Sequence, residues 1–132
     1  VIFLGDFIFK ANAEEIKTFL DRLNGHITFL RGNHDNDNSL NTPIEYLVLR
    51  MGNKEIFCTH DPEDFSTSYS LNFVAHVHDA WQIKKIYKSV LVNVGVDQWN
   101  YSPVDFNEII KTVQDFEKTQ KNIKLISNPA NP

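Results

Sequence analysis

The chain has 132 residues, 42% of them hydrophobic, and its 13 basic residues face 17 acidic ones for a formal net charge of −4. This composition excludes a disordered chain, leaves room for one domain with a core, and lacks the basic excess of a protein that binds long nucleic acid. Every apolar run is well short of the roughly 18 residues that a membrane span needs, so we expect no membrane contact.

The single cysteine, Cys58, excludes an internal disulfide and favours a reducing compartment, so we expect a cytoplasmic protein. Cys58 lies inside an apolar run, which predicts a buried thiol. The chain begins within a strand-like run and without an initiator methionine, which suggests a fragment or a trimmed chain.

The first part of the chain has the pattern of a strand, a helix and a second strand. Residues 1–4 are a continuous apolar run, and Asn12 with Glu15 has the spacing of a capping box. The predicted helix ends before Gly25, and a second apolar run follows at 27–30. The apolar face of the helix comprises Ile16, Phe19, Leu20 and Leu23. A βαβ unit of this kind predicts two parallel strands.

The middle of the chain predicts a second group of strands. Residues 44–51 and 54–59 are apolar runs joined at Gly52, which is a hairpin signal. Residues 71–78 indicate a short strand or turn, and 89–94 indicate another strand. We therefore expect a second, partly antiparallel sheet.

A helix is predicted near the C-terminus, with Ser102 as its cap, Pro103 in the first helical position and Asp105 in the first turn. Its apolar face comprises Phe106, Ile109, Ile110, Val113 and Phe116. We expect residues 1–132 to form a single domain and 126–132 to be a flexible tail.

Metal-capable side chains follow four of the apolar runs. In open α/β sheets, ligands bind at the carboxyl ends of the strands, and Gly32 permits a sharp turn there because it has no Cβ. The side chains are Asp6, Asn33 with His34 and Asp35, His60, and His76 with His78. Taken singly, each is equally compatible with an Asn/Asp-rich turn or a hydrogen-bonded structural histidine.

Taken together and in this order, Gly5-Asp6, Gly32-Asn33-His34-Asp35, His60 and His76-Val77-His78 resemble the motifs of the calcineurin-like metallophosphoesterase superfamily. The segment 93–99 is similar to its small bacterial and phage members, and the resemblance extends over 1–103. It implies an α/β fold, a β-sandwich flanked by helices, here truncated at the N-terminus. It also implies metal-dependent hydrolysis of phosphate monoesters or diesters by a metal-activated hydroxide, with a small phosphorylated substrate.

The resemblance also implies roles for single residues. Asp6 resembles the carboxylate that bridges two metal ions, and His78 resembles a ligand of the second ion. The other ligands of the first ion are Asn33, His60 and His76. Mixed nitrogen and oxygen ligands favour Mn, Fe, Zn, Co or Ni over Ca or Mg. If 76–78 is extended, its two histidines lie on the same side of the chain.

Two further residues have catalytic roles by resemblance. His34 resembles the residue that contacts the scissile phosphate and protonates the leaving oxygen, and Asp35 would orient His34. Arg31 is compatible with a phosphate clamp or a structural ion pair. Asp97 is compatible with an acceptor behind a ligating histidine or with a turn, and Trp99 with packing or pocket lining.

Two departures from the superfamily pattern matter. Its members carry an Asp-x-His upstream of the Gly-Asp motif, whereas nothing precedes Val1 here, and Ala75 replaces a glycine. We therefore expect one metal ion bound firmly and the second weakly or not at all. The missing strand would expose a sheet edge, which a homodimer or another chain could cover.

Two other interpretations remain. One is an inactive, metal-poor scaffold on the same fold, as the retromer subunit of this superfamily is understood to be. The other is a mononuclear metal-binding module without turnover.

Overall fold

The computed structural model describes residues 1–35, 40 and 42–127, and places side chains as far as residue 123. The strands and helices follow in chain order as β1 (Ile2–Phe3), α1 (Ala13–Leu20), β2 (Thr28–Phe29), β3 (Tyr46–Met51), β4 (Lys54–Thr59), β5 (Leu71–Val74), β6 (Ile83–Ile86), β7 (Ser89–Asn93) and α2 (Phe106–Ser127).

The predicted βαβ unit is present. Strands β1 and β2 pair in parallel, with Ile2 opposite Thr28. Helix α1 begins with the predicted capping box, in which the Asn12 side-chain oxygen accepts from the backbone N–H of Glu15 at 3.0 Å and the Glu15 carboxylate accepts in return from the Asn12 backbone. Two parallel strands thus deliver their carboxyl ends to the same edge.

Helix α1 is shorter than the apolar pattern predicts. It ends at Leu20, and two turns follow as far as Leu23. Ile16 is buried, whereas Phe19 and Leu23 remain 47% and 43% exposed. Because these two side chains gain little burial, continuing the helix to Gly25 would add little stability.

The second sheet has five strands in the order β3-β4-β5-β7-β6. Its three central strands, β4, β5 and β7, run parallel, while the antiparallel pairs β3–β4 and β6–β7 form its two sides. The expected hairpin and the partly antiparallel group are confirmed. Strands β5 and β7 are buried on both faces, and the carboxyl ends of the central strands point to one edge.

One core joins the two sheets. Leu4 and Leu30, at the ends of β1 and β2, belong to the same buried cluster as Ile56 and Trp99. Cys58 is fully buried in that cluster, as predicted, and burial raises the pKa of its thiol to about 12.

Helix α2 begins later than the Ser102-Pro103 signal predicts. Its first residue is Phe106, because the Asp105 carboxylate accepts from the backbone N–H of Asn107 at 2.8 Å and acts as the cap. Most of the predicted apolar face is confirmed, since Ile109 is buried and Phe106, Ile110 and Val113 pack against the core, while Phe116 is half-buried. The helical backbone continues to Ser127, inside the predicted tail 126–132, whose residues 128–132 lie outside the described part.

The result is a mixed α/β fold with a two-stranded and a five-stranded sheet. Among the described strands, β1 pairs with β2 alone, so homodimerisation along its other edge stays a prediction. No helix in the described ranges is both long and apolar enough to cross a lipid bilayer.

Candidate metal centre

The two sheets meet where their polar side chains emerge. Asp6 and Asn33 follow β1 and β2, while His60 and His76 follow β4 and β5. The link between them is His60, whose Nδ1 lies 2.6 Å from the Leu4 carbonyl oxygen. Four residues that are far apart in the chain are thereby brought to one place.

Three side chains surround the other nitrogen of His60. Its Nε2 lies 3.2 Å from Asp6 Oδ2, 3.0 Å from Asn33 Oδ1 and 3.2 Å from His76 Nδ1. The ligand atoms offered by Asp6, His60 and His76 all lie within 4.8 Å of one another. This is a grouping of potential ligands with mixed nitrogen and oxygen donors.

The tautomer of His60 follows from its partners. A backbone carbonyl oxygen only accepts, so Nδ1 must carry the hydrogen that it donates to Leu4. In the neutral ring, Nε2 then presents a lone pair to the carboxylate of Asp6 and the amide oxygen of Asn33. Electron-rich atoms at these distances repel unless a proton or a metal cation lies among them. The residues present therefore fit a divalent metal ion of the kind that prefers mixed nitrogen and oxygen ligands.

His76 has a carboxylate on its far side. Its Nδ1 faces His60, and its Nε2 lies 4.0 Å from Oδ2 of Asp61. This distance is within reach of an ion pair but longer than a hydrogen bond, so the Asp61 carboxylate acts on His76 through its charge. Asp61 was not among the predicted site residues, although it directly follows His60 in Thr-His-Asp, which was the available signal.

Two glycines allow the loops of the centre to approach each other. A Cβ on Gly32 would overlap with Asp6 Oδ1, and a Cβ on Gly5 would lie 2.6 Å from the Gly32 Cα. Gly5 also has φ of +94°, a conformation that disfavours other residues. Neither position tolerates a side chain without displacing Asp6 or its neighbours.

Asp35 fastens the same two loops together. Its buried carboxylate accepts from the backbone N–H groups of Asp6 at 2.8 Å, Phe7 at 3.2 Å and Gly32 at 2.8 Å. These bonds position the loop that carries Asp6 against the loop that carries Asn33. Orientation of the His34 ring by Asp35, the role implied by resemblance, stays a prediction.

The side chain of His34 is exposed, while its backbone is hydrogen-bonded to the site. Its N–H donates to Asp6 Oδ1 at 2.9 Å, and its exposed ring contacts the Phe9 ring edge-on at 4.7 Å between centroids. The bond to Asp6 fixes the start of this side chain beside the candidate ligands.

His78 does not join the group formed by Asp6, His60 and His76. The extended conformation that would place both histidines on the same side is not present, because φ is +65° at His76 and +47° at His78. The His78 side chain is 78% exposed, with Nδ1 3.6 Å from Asp97 Oδ2. Its role as a ligand of a second ion stays a prediction, and Asp97 lies where an acceptor behind that histidine would be.

The backbone at His78 is nevertheless held firmly. The side-chain amide of Asn93, fully buried at the end of β7, donates to the His78 carbonyl at 2.7 Å and to the Trp81 carbonyl at 3.0 Å. Gln98 also donates to the His78 carbonyl at 3.0 Å. Asn93 lies in the segment 93–99, whose resemblance to the superfamily was noted from the sequence, but no role was predicted for Asn93 itself.

Trp99 and Arg31 both make structural contacts, but Arg31 also lines a groove beside the metal centre, so its part as a phosphate clamp stays a prediction. Trp99 is a core residue whose Nε1 donates to the Asn93 carbonyl at 2.8 Å. Arg31 forms an ion pair with Glu45.

With the geometry described, comparison with known proteins gives the class of fold. The structure of an Aquifex aeolicus protein of unknown function, AQ665, matches with a TM-score of 0.61 at 22% identity, over 84% of this chain and 74% of that one. Chaetomium thermophilum Vps29 matches with a TM-score of 0.50 at 12% identity, over 74% of this chain and 53% of that one. In coarse terms the fold fits the calcineurin-like metallophosphoesterase fold to which Vps29 belongs.

A second Vps29 structure and one protein known by its sequence are also similar to this chain. A single mutant of Entamoeba histolytica Vps29 has a TM-score of 0.50 at 19% identity, over 80% of this chain and 62% of that one. An uncharacterized protein of Methanocaldococcus jannaschii, MJ1445, is 34% identical over an alignment of 123 residues that covers 86% of this chain. The chain spans 65% of the length of that relative. No family model matches the chain.

Proposed function

We propose that this protein hydrolyses phosphate esters of small molecules in a reaction that depends on a divalent metal ion. The observation that supports this most directly is the surrounding of His60 Nε2 by Asp6 Oδ2, Asn33 Oδ1 and His76 Nδ1, all at 3.2 Å or less. The fold, which is that of a phosphoesterase superfamily in coarse terms, supports the same chemistry.

Each residue has a proposed part. Asp6, Asn33, His60 and His76 would hold the cation, and Asp61 would support His76 from behind. When bound, a divalent cation of this type supplies Lewis-acid activation of the phosphoryl group and of the attacking water.

The His34 ring is the proposed contact to the scissile phosphate and the donor of a proton to the leaving oxygen. Its backbone N–H is bonded to Asp6 Oδ1, which places it beside the candidate ligands, while the ring is exposed to an incoming substrate. Asp35 acts as a positioning residue through the three backbone N–H groups that it accepts from.

The experiment measures hydrolysis of chromogenic phosphate monoesters and diesters by protein stripped of metal and reloaded with Mn²⁺. Replacement His34→Ala should lower kcat by roughly 10²- to 10⁴-fold, the usual contribution of a general acid. Mn²⁺ binding, measured by calorimetry, should be retained because His34 is outside the ligand group. The matched control is His26→Ala, which removes an exposed histidine elsewhere. Equal turnover by the wild type and His34→Ala would remove the catalytic proposal.

A second candidate is a metal-supported binding protein without turnover. The observation that favours it is the placement of His78, exposed and outside the ligand group, which leaves only one such group among the described residues. Mn²⁺ binding that requires His60, with no hydrolysis of any ester tested, would favour this candidate over the enzyme.

A further inference from the structure

A groove of about 540 Å³ lies directly beside the metal centre. Asn33 and His60 belong both to the candidate ligand group and to the wall of this groove. A volume of this size is within the usual range for pockets that bind small molecules. The rest of the wall includes Arg31, Glu45, Tyr46, Phe57, Asp61 and Asp64.

One side of the groove is aromatic. Tyr46 and Phe57 are stacked at 5.3 Å between centroids with 27° between their planes, and Phe57 stacks in turn on Tyr69 at 5.5 Å. Tyr46 is 61% exposed, so one flat surface at the end of this stack is open.

The groove brings this surface near the metal ligands, because Tyr46 and His60 both belong to its wall. Tyr46 pairs with Thr59, which immediately precedes His60. Phe57 is two residues earlier on the same strand and therefore faces the same side as Thr59. A group stacked on Tyr46 would lie beside a phosphate held at the metal centre.

The charges of the groove restrict what can lie there. Its wall carries one basic side chain, Arg31, which is paired with Glu45, and the further carboxylates Asp61 and Asp64. Away from the cation, this wall repels additional anionic groups, while its carboxylates can accept hydrogen bonds from hydroxyl and amino groups.

We propose that the groove binds the alcohol part of the phosphate ester as a flat, uncharged ring system of nucleoside size, stacked on Tyr46. This inference rests on the proposed function, because it assumes that the phosphate of the ester is held at the metal centre. Tyr46 is thus a specificity-determining residue, and polyphosphate chains and acidic peptides are excluded by the same wall.

The test compares adenosine monophosphate with a ribose monophosphate esterified at the same hydroxyl, so that the reacting bond is kept and only the base is removed. For Mn²⁺-loaded wild type we expect kcat/KM to favour the nucleotide by roughly tenfold or more, in keeping with the stacking of a base on an aromatic ring. Replacement Tyr46→Ala should bring the ratio close to one, and Tyr46→Phe should restore it because the ring is kept. The matched control, Tyr87→Ala, removes an 85% exposed tyrosine elsewhere and should keep the wild-type ratio.

Binding distinguishes this inference from the proposed function. Calorimetric titration of the same two compounds into the Mn²⁺-loaded protein should show the same dependence on Tyr46, whether or not turnover occurs. Base-dependent binding without hydrolysis would overturn the proposed function and support the groove assignment. Hydrolysis or binding that is equal for the two compounds in the wild type, or that is base-dependent and unchanged in Tyr46→Ala, would overturn the groove assignment.

Discussion

His60 and His76 show how single side chains prepare a site for a cation. The Leu4 carbonyl fixes the His60 hydrogen on Nδ1 and leaves Nε2 for a ligand. His76 is arranged the opposite way, with Nδ1 toward His60 and Nε2 toward Asp61. The two rings therefore reach the same centre through different nitrogens. A hydrogen-bonded carbonyl oxygen lies behind His60, whereas a carboxylate oxygen lies 4.0 Å behind His76.

Replacing Asp61 by asparagine tests the acceptor behind His76. Asp61→Asn removes the negative charge 4.0 Å from His76 Nε2 but keeps a side-chain oxygen that can accept from the Glu63 N–H, as Asp61 does now at 2.8 Å. We expect Mn²⁺ affinity to fall by about tenfold, the lower end of the effect of losing a partner behind a ligating histidine, because this carboxylate acts through its charge and not through a hydrogen bond. The measurement is calorimetric titration, with Asp64→Asn as a control in the same turn. Unchanged affinity in Asp61→Asn would mean that Asp61 does not support His76.

Cys58 makes a prediction about pH. Burial raises the pKa of its thiol from 9.0 to about 12, so the folded chain keeps a proton that the unfolded chain releases. The stabilisation that the buried, protonated thiol contributes is fully present below pH 9.0 and is lost as the pH rises toward about 12. We expect the urea midpoint of wild type to fall more steeply over this range than that of Cys58→Ala. If the urea midpoints of the two proteins fall equally with pH, the raised pKa of the Cys58 thiol is contradicted.

At the scale of elements, the centre depends on the close contact of two loops, one after β1 and one after β2. Gly5 and Gly32 allow the approach, and the Asp35 carboxylate bridges the two backbones. The loops carry Asp6 and Asn33, so their separation determines whether both side chains reach His60.

Replacement Gly32→Ala should separate these loops. The added Cβ would overlap with Asp6 Oδ1, so Asp6 must move, and we expect a loss of about 1–3 kcal/mol in stability together with Mn²⁺ affinity. The control is Gly25→Ala. Gly25 has φ of +86° but no neighbour within 4 Å of its Cβ position, so this change strains the backbone without touching the centre. Unfolding in urea measures the stability, and calorimetric titration measures the Mn²⁺ affinity. A wild-type Mn²⁺ affinity in Gly32→Ala would contradict the close contact between Gly32 and Asp6.

Local patterns in the sequence predicted most of the elements. The capping box at Asn12, the hairpin around Gly52 and the apolar face of α2 all depend on neighbours a few residues apart, and all are present. The ends of helices were predicted less well. The sequence predicts Ser102 as the cap of α2, whereas Asp105 is the cap in the structure. Helix α1 ends at Leu20, earlier than predicted, because whether apolar residues such as Phe19 are buried depends on the rest of the fold.

The candidate site was predicted in part by the resemblance of its motifs, which grouped Asp6, Asn33, His60 and His76. In the structure each of these residues follows a strand, and their side chains lie together. The position of His78 could not be predicted by alternation, since a positive φ at His76 breaks the extended geometry that alternation assumes.

At the scale of the whole molecule, the metal centre lies across the contact between the two sheets. Two of its side chains, Asp6 and Asn33, come from the two-stranded sheet, and two, His60 and His76, come from the five-stranded sheet. The core beneath them already joins the sheets through apolar contacts. A cation held by all four side chains would add a second connection at the surface.

This arrangement predicts that metal binding stabilises the whole fold. The ligands come together only when both sheets are formed, so a bound ion favours the native state, by about 2.7 kcal/mol at a free concentration 100 times Kd. We expect Mn²⁺ to raise the thermal midpoint of wild type and of His78→Ala, whose side chain lies outside the group, but to have little effect on His60→Ala. Thermal unfolding monitored by circular dichroism, with and without Mn²⁺, measures the shift. A midpoint that rises equally in His60→Ala would place the binding ion elsewhere, because His60 is the member of the ligand group whose Nε2 lies closest to Asn33 and His76 together.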